Sequence, residues 1–174
     1  MQMPTILKIL LGNRKAACGL AIVVAFVLMA IFAPILASNE PTKRVARPHQ
    51  PPSTEFVMGS TRMGHDIWSQ FTNGARISLL VGFSAGLLVC TLAVAIGITA
   101  GYFGGLVDEC LTFLMNVVLV IPNLPLLLVL ASFIGEASPT VIAVIIGLTS
   151  WAYGARVIRA QTLALREKEF VIAA

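Results

Sequence analysis

The run ISLLVGFSAGLLVCTLAVAIGITAGYFGGLV, residues 77–107, decides the fold. It carries no charged side chain, and it exceeds the roughly 20 apolar residues that take a helix across about 30 Å of hydrocarbon. In lipid the backbone must satisfy its own hydrogen bonds, which leaves helices or closed barrels. Barrel strands alternate apolar and polar residues; this run does not, so it reads as a membrane helix. Three more uncharged runs accompany it, at 16–39, 110–135 and 137–155. The 174-residue chain is 57% hydrophobic and 11% charged, against about 25% charged in soluble domains, which excludes a water-exposed globule. The expectation is an all-α, polytopic membrane helix bundle, with helices at 16–37 and at about 77–101, 110–133 and 138–157.

The gaps between runs orient the chain. Lys8, Arg14 and Lys15 in residues 1–15 precede the first run, as in a secretory signal. The run is longer than the roughly 7–15 residues of a signal core, and the ProIleLeuAlaSer segment lacks a small-x-small cleavage pattern, so an uncleaved anchor helix is predicted. With four spans both termini share a side. That side holds Lys8, Arg14, Lys15, Arg156, Arg159, Arg166 and Lys168; the other holds Lys43, Arg44, Arg47, Arg62 and Arg76. The excess of basic residues favours a cytoplasmic N-terminus and an external loop at 38–75. The net charge of +4 does not point to nucleic acid, because the basic residues sit between spans rather than on one aromatic-laced face.

Within the external loop, Pro41, Pro48, Pro51 and Pro52 keep the first half extended or irregular. Ile67, Trp68 and Phe71 recur at near-helical spacing. That predicts a short helix lying in the interface, anchored by Trp68; the same segment fits a lid or a docking face for an external partner. His49 and His65 are too far apart in sequence for typical metal spacing, and Cys18, Cys90 and Cys110 lack C-x-x-C spacing. Neither a metal nor a cofactor is expected.

Two runs carry internal features. Residues 77–101 hold two ladders of small residues, Ser78, Gly82, Gly86, Cys90 and then Ala93, Gly97, Gly101, which let helix backbones approach closely. Gly82, Gly86, Gly97 and Gly101 are the expected packing positions, in the middle of a bundle. The third run contains IleProAsnLeuPro at 121–125. Two prolines there kink or break the helix, and a break at membrane depth persists only where protein or a wet cavity covers it. One reading is an ordinary proline kink; the other makes Asn116, Pro122, Asn123 and Pro125 line a substrate path.

The fourth run passes without a turn signal through Trp151, Tyr153, Gly154 and Ala155 into Arg156 and Arg159, and ends in a charged, weakly amphipathic strip reaching Ala174. The strip suits water and a partner rather than lipid. No G-x-x-x-x-G-K-[ST] loop is present, so the chain is not an ATPase. No charged residue or histidine lies within the runs, which disfavours an intramembrane enzyme and the ionisable coupling groups of a secondary carrier.

Three blocks, AsnGlyAlaArgIleSerLeuLeuValGly (73–82), AlaGlyTyrPheGlyGlyLeuValAsp (100–108) and LeuThrSerTrpAlaTyrGlyAlaArgValIleArg (148–159), resemble the permeases of binding-protein-dependent ABC importers of the dipeptide/oligopeptide type. The final ArgGluLysGluPheValIleAlaAla is similar to the opening of that family's EAA loop. The resemblance implies a type I importer permease fold with four of its usual six helices present, and an inner-membrane location in a prokaryote. It implies a second homologous permease, cytoplasmic ATPase subunits and an external substrate-binding protein as partners, besides membrane lipid. Carried over position by position, Arg166, Glu167, Glu169, Phe170, Ala173 and Ala174 would contact the ATPase within the partial coupling loop 160–174.

Departures from the family pattern bear on substrate. Ser60 and Thr61 stand where the family usually has Thr-Asp, and His65 where it has Arg, while Gly64 and Asp66 match. Phe113 and Asn116 replace an Arg and an Asp that would pair inside the membrane. Peptides are the expected cargo, with oligosaccharides as the alternative. The EAA element stops at Ala174 and the last two membrane helices are missing, so the chain reads as truncated or as a fragment. A non-transporting scaffold is the alternative if that is the whole product.

Overall fold

The computed structural model describes residues 12–37, 39–134 and 138–166. Among these described residues five helices follow in chain order: α1 Arg14–Leu36, α2 Ile67–Phe103, α3 Gly105–Val120, α4 Asn123–Ile134 and α5 Pro139–Arg166. Among the described residues no strand forms; the nearest thing is an isolated bridge between Ser60 and Asp66. α1, α2 and α5 are each long and apolar enough to cross a membrane, and α3 with α4 makes a fourth crossing if counted as one bent span. The chain is thus an all-α, multi-pass membrane protein. It divides into two compact units, Met1–Leu79 and Leu80–Ala174.

In the first unit, α1 starts where the Asn13 side chain accepts a hydrogen bond from the Lys15 amide at 3.1 Å, meeting one of the four orphan donors of a helix start. Pro34 lies in the last turn, and the helix ends two residues later. The Trp68 indole then donates to the Leu36 carbonyl at 2.9 Å, satisfying a group the ended helix leaves open. Phe26 meets Phe71 edge-on at 6.2 Å. The expected short interfacial helix is not a separate element. Ile67, Trp68 and Phe71 belong to the first turns of a 37-residue α2, because nothing between Phe71 and Ile77 breaks the helix: Gly74 has an open surround and no proline intervenes.

In the second unit, α2 and α5 run parallel. Leu88 meets Gly147, Ala93 meets Gly154, Gly97 meets Ala155 and Ile158, and Gly101 meets Arg159 and Thr162. Both sequences advance together along this contact. The end of α2 is therefore level with Thr162, 23 residues beyond the start of α5, which is about 35 Å of helix at 1.5 Å per residue. The chain between them must travel that distance back. α3 and α4 together make one broken crossing rather than a re-entrant loop. Cysteines replacing Glu109 and Ser138 in a background without Cys18, Cys90 and Cys110 are expected to react with an impermeant maleimide from opposite sides. Labelling from the same side would overturn the crossing.

The core of this unit is small: Ala93, Ala100, Met115, Trp151, Ala152 and Ala155, with Leu92, Ile96, Leu111, Val118 and Ile158 packed on it. Of the four expected packing glycines, Gly97 and Gly101 make close contacts, whereas Gly82 and Gly86 have nothing within 4 Å. Gly86 and Gly97 are 11 residues apart, which at 100° per residue puts them within about 20° on the helix surface. A neighbour lying straight along α2 would touch both. The contact instead passes from Gly101 and Gly97 through Ala93 to Leu88, where it meets Gly147, and Gly82 and Gly86 fall outside it.

Candidate functional site

The break in the third span comes from its prolines acting in different ways. Pro122 forces Ile121 out of the helical region, and Ile121 sits at φ −73°, ψ 122°, ending α3. Pro125 is the third residue of α4, a position whose amide has no intrahelical partner anyway. α4 begins with Leu126 donating to the Pro122 carbonyl at 3.2 Å. The two half-helices diverge by 79°, so the expected single helix at 110–133 is two elements. Pro122, Asn123 and Pro125 are all exposed at the bend. Beside it lies a groove of about 220 Å³ between α4 and α5, lined by Leu124, Leu127, Leu128, Ile142, Ile145 and Ile146. Asn116 stands apart from these three, one turn before the end of α3. Its Oδ1 accepts a hydrogen bond from Arg156 Nη2 at 2.6 Å.

The fourth expected helix continues past Ala155 to Arg166, and its polar end is pinned. Arg159 presents Nε and Nη2 to the two carboxylate oxygens of Asp108, the bidentate geometry that makes an Arg–carboxylate pair strong and directional. Thr112 Oγ1 donates to the same carboxylate at 3.2 Å. The side chains are 25% and 16% exposed, so water screens the pair only in part. Between α2 and α3 stands a single residue, Gly104. It and Gly105 adopt φ of 67° and 53°, a region that glycine enters freely. Arg166 lies over this elbow, its Nη1 3.0 Å from where a β-carbon on Gly104 would sit. Arg156 to Asn116, Arg159 to Asp108 and Arg166 to Gly104 thus make an antiparallel seam between α5 and α3. Of the six coupling-strip residues only Arg166 is placed; Glu167, Glu169, Phe170, Ala173 and Ala174 lie outside the described residues.

A second polar constellation surrounds Asp66, which is 3% exposed. One carboxylate oxygen accepts the Trp68 amide at 3.1 Å, capping α2. The other accepts Ser69 Oγ at 2.6 Å and Asn39 Nδ2 at 3.4 Å. Gln70 bonds the Pro41 carbonyl and His65 Nδ1. Residues 45–50 and 60–64 run side by side, Val45 and Ala46 donating to the Gly64 carbonyl and Ser60 to the Gln50 carbonyl. Gly64 has φ 78°, and a β-carbon there would strike the Ala46 carbonyl oxygen. The segment from Asn39 to Asp66 is a hydrogen-bonded platform rather than a slack connector. Neither Asp66 nor the Asp108–Arg159 pair was marked as a site by sequence reasoning. The one available signal was that Asp108 and Arg159 flank uncharged runs on the same side of four alternating spans.

Residues 93–174 match the family model for a binding-protein-dependent transport system inner membrane component. Residues 3–52 match the N-terminal TM domain of oligopeptide transport permease C. The chain is 33% identical over 167 residues to a dipeptide transport system permease protein of Alkalihalophilus pseudofirmus, covering 93% of this chain and 53% of that protein. It is 32% identical over 163 residues to an oligopeptide transport system permease protein of Bacillus subtilis, covering 93% and 53%. A dipeptide transport system permease protein of Haemophilus influenzae is 31% identical over 168 residues, covering 91% and 56%. The chain spans about half the length of these curated relatives. The chain is thus similar, in sequence order, to two models of binding-protein-dependent permeases, the matches lying over apolar crossings and a polar helical end.

Proposed function

We propose that this chain supplies part of the permease of an ATP-driven, binding-protein-dependent importer that moves peptides across the cytoplasmic membrane. The observation that carries the reading is the pinned polar end of α5. A rigid helix emerges beside Asp108 and delivers Arg166 to the head of the charged strip, which is what a partner needs in order to push on the bundle as one body. Glu167, Glu169, Phe170, Ala173 and Ala174 then meet the ATPase, the N-terminus lies in the cytoplasm, and loop 38–75 faces the external binding protein. A second homologous permease completes the path, to which the break at Pro122, Asn123 and Pro125, with Asn116, contributes. ATP hydrolysis belongs to the partner subunits. Peptide is favoured over oligosaccharide because the relatives above bear peptide-transport names.

The test is recovery and transport. The permease, tagged in its own membranes and purified gently, is expected to bring down an ATPase and a second permease. Liposomes holding that complex with its binding protein should accumulate labelled tripeptide only with ATP inside. Repeated recovery without any ATPase would sink the importer reading, and uptake of an oligosaccharide in place of tripeptide would overturn the substrate assignment.

A further inference from the structure

We propose that Asp108 and Arg159 are a positioning pair that joins the polar end of α5 to the α2–α3 elbow, so that force on the strip after Arg166 reaches the break at Pro122 through α3. The inference rests on the importer reading for its functional half and on geometry for its structural half.

Three observations converge on it. First, the elbow has no slack. Gly104 alone separates α2 from α3, so whatever holds the start of α3 also holds the end of α2. Second, the seam is registered at successive levels by different chemistries: Arg156 on Asn116 at 2.6 Å, the Asp108–Arg159 fork, and Thr162 against Gly101, where even a β-carbon would come within 2.7 Å. Third, α3 is uninterrupted from Asp108 to Val120 and then bends by 79°. That stretch is a rod of about 18 Å. A displacement at its charged foot therefore arrives at the break.

The fork matters more than its charge. Two parallel N–H···O bonds fix the rotation of α5 about its axis as well as its distance, which a lysine ammonium would not do. The apolar contacts at Gly97 and Gly101 set closeness, whereas the fork sets register. Removing it leaves α5 seated but free to slide past α3, and a push on the strip is then spent in slippage.

Two readouts test this. In the purified chain alone, amide exchange over residues 156–166 is expected to rise by roughly tenfold in Asp108→Asn, and to return toward wild type in the reversed pair Asp108→Arg with Arg159→Asp; rescue by reversal is the mark of a direct pair. In liposomes holding the complete complex, Asp108→Asn should keep ATPase recovery and ATP hydrolysis while peptide taken up per ATP falls by about tenfold, within the range of ordinary coupling energies. Should Asp108→Asn fail to insert, Arg159→Lys gives the same comparison with the charge retained and the fork lost. Unchanged exchange, or uptake and hydrolysis falling together in step with the amount of complex, would overturn the proposal. A wild-type complex that never imports peptide would defeat the importer reading instead, and the exchange measurement would still decide the structural half.

Discussion

Gly97→Leu is expected to cost the second unit about 3 kcal/mol or more and to detach α5 from α2. A β-carbon at Gly97 would stand 2.6 Å from the Ala155 carbonyl oxygen and 2.9 Å from Ile158 Cβ. Neither obstacle can swing aside: one is backbone, and the other is the stiff branch point of a β-branched side chain. Overpacking a yielding site costs about 1–3 kcal/mol, and this site does not yield. Gly86→Leu supplies the comparison, since it sits on nearly the same helical face with nothing within 4 Å and should lie within about 0.5 kcal/mol of wild type or slightly above it. Unfolding of the purified chain in mixed micelles, followed by helical signal and protease resistance, reads both variants. Equal midpoints for Gly97→Leu and wild type would show that the parallel α2–α5 contact is absent in the membrane.

The second large effect belongs to the loop. Asp66→Ala removes the cap of α2 and strands two donors, Ser69 Oγ and Asn39 Nδ2, in a nearly sealed place. A lost cap costs about 1 kcal/mol and a lost hydrogen bond to a charged acceptor about 1.5–3 kcal/mol. A total near 3 kcal/mol is expected, and it should fall on the platform rather than on the spans. Amide exchange at Trp68 and Ser69 is the sensitive probe, with the exposed Glu55→Ala as the control. Exchange rising equally in α5 would mean that the platform and the spans unfold as one, contrary to the expectation.

Much of this was legible beforehand because it depends on composition over long stretches. Uncharged runs announced the crossings, and the prolines at 122 and 125 announced the break. What stayed hidden depends on where helices meet. The two glycine ladders on α2 look alike in sequence, yet α5 seats against Gly97 and Gly101 and not against Gly82 and Gly86, since where α5 lands is not written in α2. In sequence Arg159 is one basic residue beside a run and Asp108 closes a resemblance block; that they pair follows only from α5 running antiparallel to α3. Asp66 stands out in sequence only as a match to the family pattern, and its capping role is hidden because a cap is recognised only once the helix start is known. The short interfacial helix failed for the same reason in reverse: the amphipathic spacing was real, but no residue between Phe71 and Ile77 ends a helix.

The unequal burial of the helices also bears on how the chain is made. α1 and α2 bury only 11% of their most apolar windows inside the chain, and α5 buries 33% of its own. Helices of the first kind can leave the translocon for lipid unaided. α5 carries Thr149, Ser150 and Arg156 along its length, and it emerges after α2 and α3, when Gly97, Gly101 and Asp108 are already on offer. Its retention in the bilayer is then an act of assembly on earlier helices more than of partition into lipid. A lesion in α2, made early in synthesis, would reveal itself only when α5 arrives and finds no seat.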